Sequence, residues 1–382
     1  MRFKKTIIKI HLWLGLASGL IVVLLGITGC ILAFEHEIRM VTEPYHFAKA
    51  EEKQVLPPSV LKQIAEKQLN GKAANSIEYG KSGDAVLVSY YDANNYKIVF
   101  LNPYSGEVLK VKNMTRDFFR IVLNGHFYLW LPPSIGQPVM ASATLIFLIM
   151  LISGIILWWP KNKAARKQRF AVKWNAKWKR TNYDLHNVLG FYMTWVAIFL
   201  AITGLIMGFE WFAKSVYWVS SAGKEMPAYY TPSSDLIDTA GHKANTTDIA
   251  WQQMMQKKNS NEALSIFFAA DPSGALSINI NHRPGTYYNT DSYYFDQYSG
   301  KELKGKGTYA GPYRKASVAD KIKRMNYDIH VGAVLGLPGK ILAFFASLIA
   351  ASLPVTGFCI WWGKRKKKKF VPVSAAIVKT LI

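Results

Sequence analysis

Acidic residues are scarce in this sequence. There are 24 Asp and Glu against 47 Lys and Arg, a formal net charge of +23 over 382 residues. They are absent from the two densest basic runs, residues 161–180 and Lys364–Lys369. Cysteine is almost missing too: the two residues, Cys30 and Cys359, exclude a disulfide framework. They fall near opposite ends of apolar stretches, so a bond between them would have to cross the apolar layer, and both read as packing residues. No Gly-x-Gly-x-x-Gly follows a strand pattern, so no nicotinamide or flavin domain of that kind is expected. No nucleophile paired with a base stands out. Finally, charge is nearly missing from four long stretches, Ile7–Phe34, Val139–Trp159, Val188–Phe209 and Ile341–Trp362. Each reaches the roughly 20 apolar residues that cross a bilayer. The first is too long for a secretory signal, and Cys30–Glu35 offers no small-residue cleavage site.

What is present sets an orientation. Lys161, Lys163, Arg166, Lys167, Arg169, Lys173, Lys177, Lys179 and Arg180 lie between the second and third stretches, and the second run follows the fourth. Basic residues beside spans stay in the cytoplasm. Basic runs also serve nucleic-acid binding, but each run here abuts a span, so topology explains it and no nucleic-acid partner is expected. Contact with anionic lipid headgroups follows. The expected organisation is therefore span one at 1–35, an outer segment at 36–125, span two at 126–160, a basic cytoplasmic loop at 161–182, span three at 183–210, a second outer segment at 211–325, span four at 326–363 and a basic tail at 364–382. Both termini are expected in the cytoplasm of a multi-pass inner-membrane protein, with nearly all the acidic residues in the outer segments.

The chain reads as a duplicated unit. His11-Leu12-Trp13-Leu14-Gly15 matches His186-Asn187-Val188-Leu189-Gly190, Ile27-Thr28-Gly29 matches Ile202-Thr203-Gly204, and Phe34-Glu35 matches Phe209-Glu210, all at one constant offset. In spans two and four, Ser153-Gly154 before Trp158-Trp159 matches Thr356-Gly357 before Trp361-Trp362. His126 precedes Trp159 by nearly the same stretch of chain as His330 precedes Trp362. The outer segments repeat more loosely. Helical spacing over Ser59–Leu69 precedes two strand-like runs, Ala85–Tyr91 and Tyr96–Leu101, then a turn and Val108-Leu109. Thr247–Gln256 precedes Ala263–Ala269, Ala275–Asn281 and Ser292–Phe295. The turns Asn102-Pro103-Tyr104-Ser105-Gly106 and Asp296-Gln297-Tyr298-Ser299-Gly300 correspond. The fold class expected is a mainly α membrane protein with four duplicated spans and two small α+β domains outside the membrane.

Four of the eight histidines start the four membrane segments. His11 and His186 belong to the inner leaflet; His126 and His330 belong to the outer one, each before prolines (Pro132-Pro133; Pro338) that set it on its own short turn. Facing imidazoles make a six-coordinate site for haem iron, and helix bundles hold such cofactors between facing side chains. Each leaflet pair is a candidate for one haem, giving electrons a route across the bilayer. Gly15, Gly19, Gly26, Gly29, Gly190, Gly204, Gly208, Gly332 and Gly336 read as space for a flat macrocycle. Taken singly, a histidine near a membrane interface is more often a polar anchor than a ligand. Duplication alone, however, does not explain a histidine in both helix types paired by leaflet. A proton relay is the other reading of ionisable groups in spans, and the apolar midplane of all four spans argues against it. His36 is a reserve ligand for the outer pair. His46, His242 and His282 read as surface residues, and the tryptophan pairs as interfacial belts, with a place flanking an inner haem as the alternative.

On His11-x-Trp13-Leu14-Gly15-Leu16, Asp184-Leu185-His186-x-x-Leu189-Gly190, Ile27-Thr28-Gly29, His330 with Leu335-Gly336-Leu337-Pro338-Gly339, and Val355-Thr356-Gly357 before Trp361-Trp362, the chain resembles the PepSY-associated transmembrane proteins. These are iron-regulated bacterial membrane proteins that include siderophore reductases. The turn at Leu101–Leu109 resembles the end of a PepSY domain. The segment Asn124-Gly125-His126-Phe127, followed by a double proline, departs from the pattern. The resemblance implies two b-type haems held by the span histidines, PepSY-like outer domains, and reduction of ferric siderophores on the periplasmic face. The inner side offers only short basic segments, so the electron donor is a quinol or a partner protein. The competing reading is a non-enzymatic membrane protein whose PepSY-like domains bind or regulate another protein.

Overall fold

The structure is a computed structural model that describes residues 2–365 except 161, 164, 165, 167, 168 and 236–244. His242, Lys161, Lys167 and Lys366–Lys369 of the tail lie outside the described residues. The elements run α1 (Arg2–Ala33), α2 (Glu35–Thr42), α3 (Pro58–Gln68), β1 (Ser76–Tyr79), β2 (Val86–Tyr91), β3 (Tyr96–Leu101), β4 (Val108–Asn113), α4 (Phe118–Tyr128), α5 (Pro133–Trp158), α6 (Trp178–Gly208), α7 (Glu210–Ser220), α8 (Thr246–Met255), β5 (Ala263–Phe267), β6 (Leu276–Asn281), β7 (Thr290–Phe295), β8 (Glu302–Leu303), α9 (Val318–His330) and α10 (Leu337–Arg365). They divide into a unit holding α1, α5, α6 and α10 and a unit holding the strands with α2, α3, α7, α8 and α9; α4 crosses the division at Asn124/Gly125. The boundaries expected at 125/126 and 325/326 fall inside α4 and α9.

In the first unit, α1, α5, α6 and α10 are each long and apolar enough to cross a membrane. They close into a ring. α1 meets α10 where a Cβ added at Gly26 would lie 2.8 Å from Ala351 Cβ, and one at Gly19 would lie 3.1 Å from Pro354 Cβ. α1 meets α5 at Gly15 and Met150; α5 meets α6 where Leu151 packs on Ala197 and Ala201 and where Gly208 faces Ala141. α6 returns to α10 through Asn182 Nδ2, which donates to the Thr356 carbonyl at 3.1 Å. Lipid gives no hydrophobic drive between helices, so close approach over small residues supplies the packing. Gly15, Gly19, Gly26 and Gly208 are thus filled by neighbouring helices, which corrects their reading as room for a macrocycle. Leu20, Ile27, Ile152 and Phe199 stay exposed, as lipid-facing side chains must.

The second unit is one antiparallel sheet of eight strands in the order β4-β3-β2-β1-β5-β6-β7-β8. Two separate small domains are therefore corrected to one composite layer. β1 and β5 pair at its centre, with Ile77 opposite Ile266, both fully buried. α3 and α8 lie on one face and share a core: Leu61 and Ala65 with Ala250, Met254, Val88, Leu264 and Ile278. Ser59 Oγ donates to Asp248 Oδ2 at 2.5 Å, joining the two helices. Burial of each large aliphatic here contributes about 1.5–3 kcal/mol. The repeated turns form alike. Asn102 Oδ1 accepts from the Tyr104 and Ser105 amides, Asp296 Oδ1 from those of Tyr298 and Ser299, and Gly106 and Gly300 take φ of 73° and 70°. A side chain resists that conformation, which is why glycine recurs there.

Candidate functional site

The four span-associated histidines occupy definite helical positions. His11 is in α1 and His186 in α6, both in the first unit. His126 is in α4, an 11-residue helix, and His330 closes α9, a 13-residue helix of the second unit. The short turns expected for His126 and His330 are therefore corrected to full helices. The prolines do break the chain: α4 stops at Tyr128, Leu129 and Trp130 turn left-handed, and Pro133 opens α5. Proline suits that place because its missing N–H and fixed φ fit the first helical turn.

Three of the rings are docked in the same way. His11 Nδ1 is 2.8 Å from Ser153 Oγ on α5. His186 Nδ1 is 2.8 Å from Thr356 Oγ1 on α10. His126 Nδ1 is 2.8 Å from Thr28 Oγ1 on α1. In each case the residue after the hydroxyl is glycine, and its absent side chain leaves room for the ring. A Cβ added at Gly154 would stand 3.7 Å from His11 Cε1, one at Gly357 3.3 Å from His186 Cε1, and one at Gly29 3.6 Å from His126 Cε1. His11 and Thr28 lie on one continuous helix, about 25 Å apart along its axis at about 1.5 Å per residue. That approaches the roughly 30 Å depth of a hydrocarbon core.

The helices carrying His126 and His330 are each anchored at their start. Asp117 precedes α4 and accepts from the Arg120 amide at 3.1 Å. Its carboxylate also takes Arg39 of α2 in a bidentate pair and Lys112 of β4 at 2.8 Å. Burial would raise its pKa, but the two cations outweigh burial and hold it well below the usual carboxylate range. Ser317 caps α9 through the Asp320 amide at 3.1 Å. Arg324 of α9 donates to the carbonyls of Thr308, Thr290 and Ala310, and buried Asp328 accepts from the amides of Tyr287 and Tyr288. Charged groups so enclosed are tolerated because their hydrogen bonds are met.

His36 sits in α2 of the second unit, with Nε2 3.8 Å from the Cβ position of Gly285. Burial lowers its pKa, and Lys340 lowers it further. His46 and His282, read as surface residues, are partly buried partners of carboxylates, Glu43 for one and Glu262 with Asp291 for the other. Trp158 is not a belt residue: it is buried and stacked on Phe191 at 3.6 Å, while Trp159 is exposed. The Trp158 indole N–H has no hydrogen-bond partner among the described residues. A buried donor of that kind calls for an acceptor that those residues do not supply.

Imidazole is the kind of donor that haem iron takes. Two imidazoles per iron suffice, so the absence of any group of three or more His, Cys, Asp and Glu among the described residues does not bear on it. Ligating histidines characteristically commit the other ring nitrogen to an oxygen nearby; the Nδ1 atoms of His11, His186 and His126 each lie beside a hydroxyl oxygen. Ser153-Gly154, Thr356-Gly357 and Thr28-Gly29 are visible in the sequence as repeats, but nothing local joins them to the histidines. The available signal was the recurrence of a hydroxyl residue followed by glycine in all four spans, Thr203-Gly204 being the fourth. No curated protein matches the chain. The family model of the PepSY-associated TM region matches residues 8–364, nearly the whole length, and with its four membrane-crossing helices the chain belongs to that family.

Proposed function

We propose that this protein is a di-haem reductase of the bacterial inner membrane, passing single electrons across the bilayer to ferric siderophores or other ferric chelates. The observation that carries the reading is the docking of His11, His186 and His126 through Nδ1 on hydroxyls of neighbouring helices, which gives the ligating role to Nε2. His11 and His186 hold one b-type haem. His126 and His330 are assigned the second from the sequence, with His36 in reserve. Haem iron with two imidazole ligands supplies reversible one-electron chemistry. The protein's part is to fix the rings and to exclude water with the apolar walls of α1, α5, α6 and α10. Both termini and the basic loop face the cytoplasm, and the sheet unit meets the chelate outside. Hard oxygen ligands hold ferric iron far more tightly than ferrous, so one electron per iron frees the metal. A quinol or a protein supplies that electron.

The test is spectroscopic and kinetic. Protein purified from haem-replete cells should show a low-spin b-type spectrum, about two haems per chain by pyridine haemochrome, and loss of the same haem in His11→Ala and His186→Ala. Reduced with dithionite and mixed with a ferric siderophore, the parent should reoxidise, and His330→Ala should not. A colourless protein, or a reduced one that the chelate leaves reduced, refutes the reading.

A further inference from the structure

We infer that the Ser/Thr-Gly dipeptides of the spans are ligand-positioning devices: the hydroxyl sets which nitrogen of the docked histidine carries the proton, and the glycine sets how closely the ring lies against the helix. This rests on the haem reading above, and its test separates the two.

The tautomer follows from where the protons go. A hydroxyl has one proton to donate and two lone pairs with which to accept. Each hydroxyl here has a carbonyl of its own helix within donating distance of its proton. Ser153 Oγ donates to the Met150 carbonyl at 3.1 Å. Thr356 Oγ1 donates to those of Ser352 and Leu353 at 3.0 and 3.1 Å. Thr28 Oγ1 donates to those of Leu24 and Leu25 at 2.8 and 3.2 Å. Back-bonding of this kind is ordinary for Ser and Thr within helices. An oxygen so engaged can only accept from a second partner. The ring nitrogen beside each hydroxyl must then be the donor, which assigns the proton to Nδ1 and the lone pair to Nε2. A metal requires that unprotonated nitrogen.

The choice of acceptor also bears on the iron. A carboxylate at Nδ1 would draw the ring toward imidazolate, raise its basicity and favour ferric iron. A hydroxyl keeps the imidazole neutral, so ferrous iron is disfavoured less, as suits a carrier that must be reduced before it can reduce. The glycines add a steric setting that differs between the two inner sites. At Gly357 an added Cβ would press on His186 Cε1 at 3.3 Å, whereas at Gly154 it would meet His11 at an ordinary 3.7 Å.

The test is redox titration and low-temperature electron paramagnetic resonance of the full-length haem-loaded protein. Thr356→Val should shift the highest g value and the midpoint potential of one haem, or release that haem, while the signal of the other persists. Thr356→Ser should restore parental values, since it restores the hydroxyl. Gly357→Ala should move the g value more than Gly154→Ala. If Thr356→Val does not accumulate, Ser153→Ala reads the same haem through His11. Parental signals in Thr356→Val, or identical behaviour of the Val and Ser variants, would overturn the inference and leave the haem reading standing. A parent that takes up no haem overturns both.

Discussion

At the scale of the residue, partner chemistry sorts the histidines. His11, His126 and His186 meet hydroxyls; His46 and His282, beside the sheet, meet carboxylates. His282 is the clearest of the second kind, with Nδ1 2.7 Å from Glu262 and Nε2 3.0 Å from Asp291. Burial of the ring opposes its charge, and the two carboxylates outweigh burial, so its pKa lies above 6.5. Glu262 is also penalised by burial, and the Asn259 amide and His282 hold it below 4.5. The signs define a window. A raised histidine contributes stability that is full below its unfolded value and is lost as pH rises through the folded one. A lowered carboxylate contributes above its unfolded value and loses that as pH falls. The His282–Glu262 pair therefore stabilises the β5–β7 region most at about pH 5–6. His282→Asn should speed hydrogen exchange of the β6 and β7 amides, and the difference from the parent should be larger at about pH 5.5 than at about pH 8.5. Equal differences at both values would remove the ion pairs as its source.

Among the elements, the corners before α5 and α10 are where backbone meets backbone most closely. A Cβ added at Gly136 would stand 1.9 Å from the Tyr128 carbonyl oxygen. One at Gly339 would stand 2.1 Å from that of Gly332, and one at Gly332 2.3 Å from that of Gly339. Side chains can rotate away from an intruder, but a carbonyl at a helix end cannot without moving the helix. Gly136→Ala should therefore displace α4, which carries His126, at a cost of about 3 kcal/mol or more. Thermal unfolding of detergent-solubilised protein should show a clear fall in midpoint, with the haem assigned to His126 lost first. Gly154→Ala, which adds only an ordinary contact, should cost far less. Equal stability of the two variants would show that the corner relaxes freely.

For the whole molecule, the chain alternates between its two units, and the basic runs predict which side of the membrane each alternation faces. Reporter fusions after Lys163 and after Lys366 should report cytoplasm, and those near Gly83 and Gly274, both in turns of the sheet unit, should report the outside. Reversed signals at either pair would overturn the orientation and, with it, the direction proposed for electron flow. Because β1 and β5 make the sheet continuous, its two halves, distant in sequence, form one body that shares a core across α3 and α8.

The sequence by itself determined the spans and the family, and it singled out the four histidines at or just before those spans. Those properties are local: hydropathy over about 20 residues decides insertion, and a repeat is visible wherever two segments align. The turns at Asn102 and Asp296 were legible for the same reason, since an Asx oxygen closes on amides two and three residues away. Tertiary structure decided the rest. β1 is only four residues long, Ser76–Tyr79, too short to show its alternation, and its partner β5 lies far along the chain. The helices α4 and α9 hid behind the prolines and glycines that follow them, because those residues mark where a helix stops and not where it starts. That Gly19 and Gly26 seat α10, while Gly154 and Gly357 seat imidazoles, depends on how each helix is rotated about its axis. Hydrophobicity nearly uniform around a span leaves that rotation unspecified, and only packing against its neighbours fixes it.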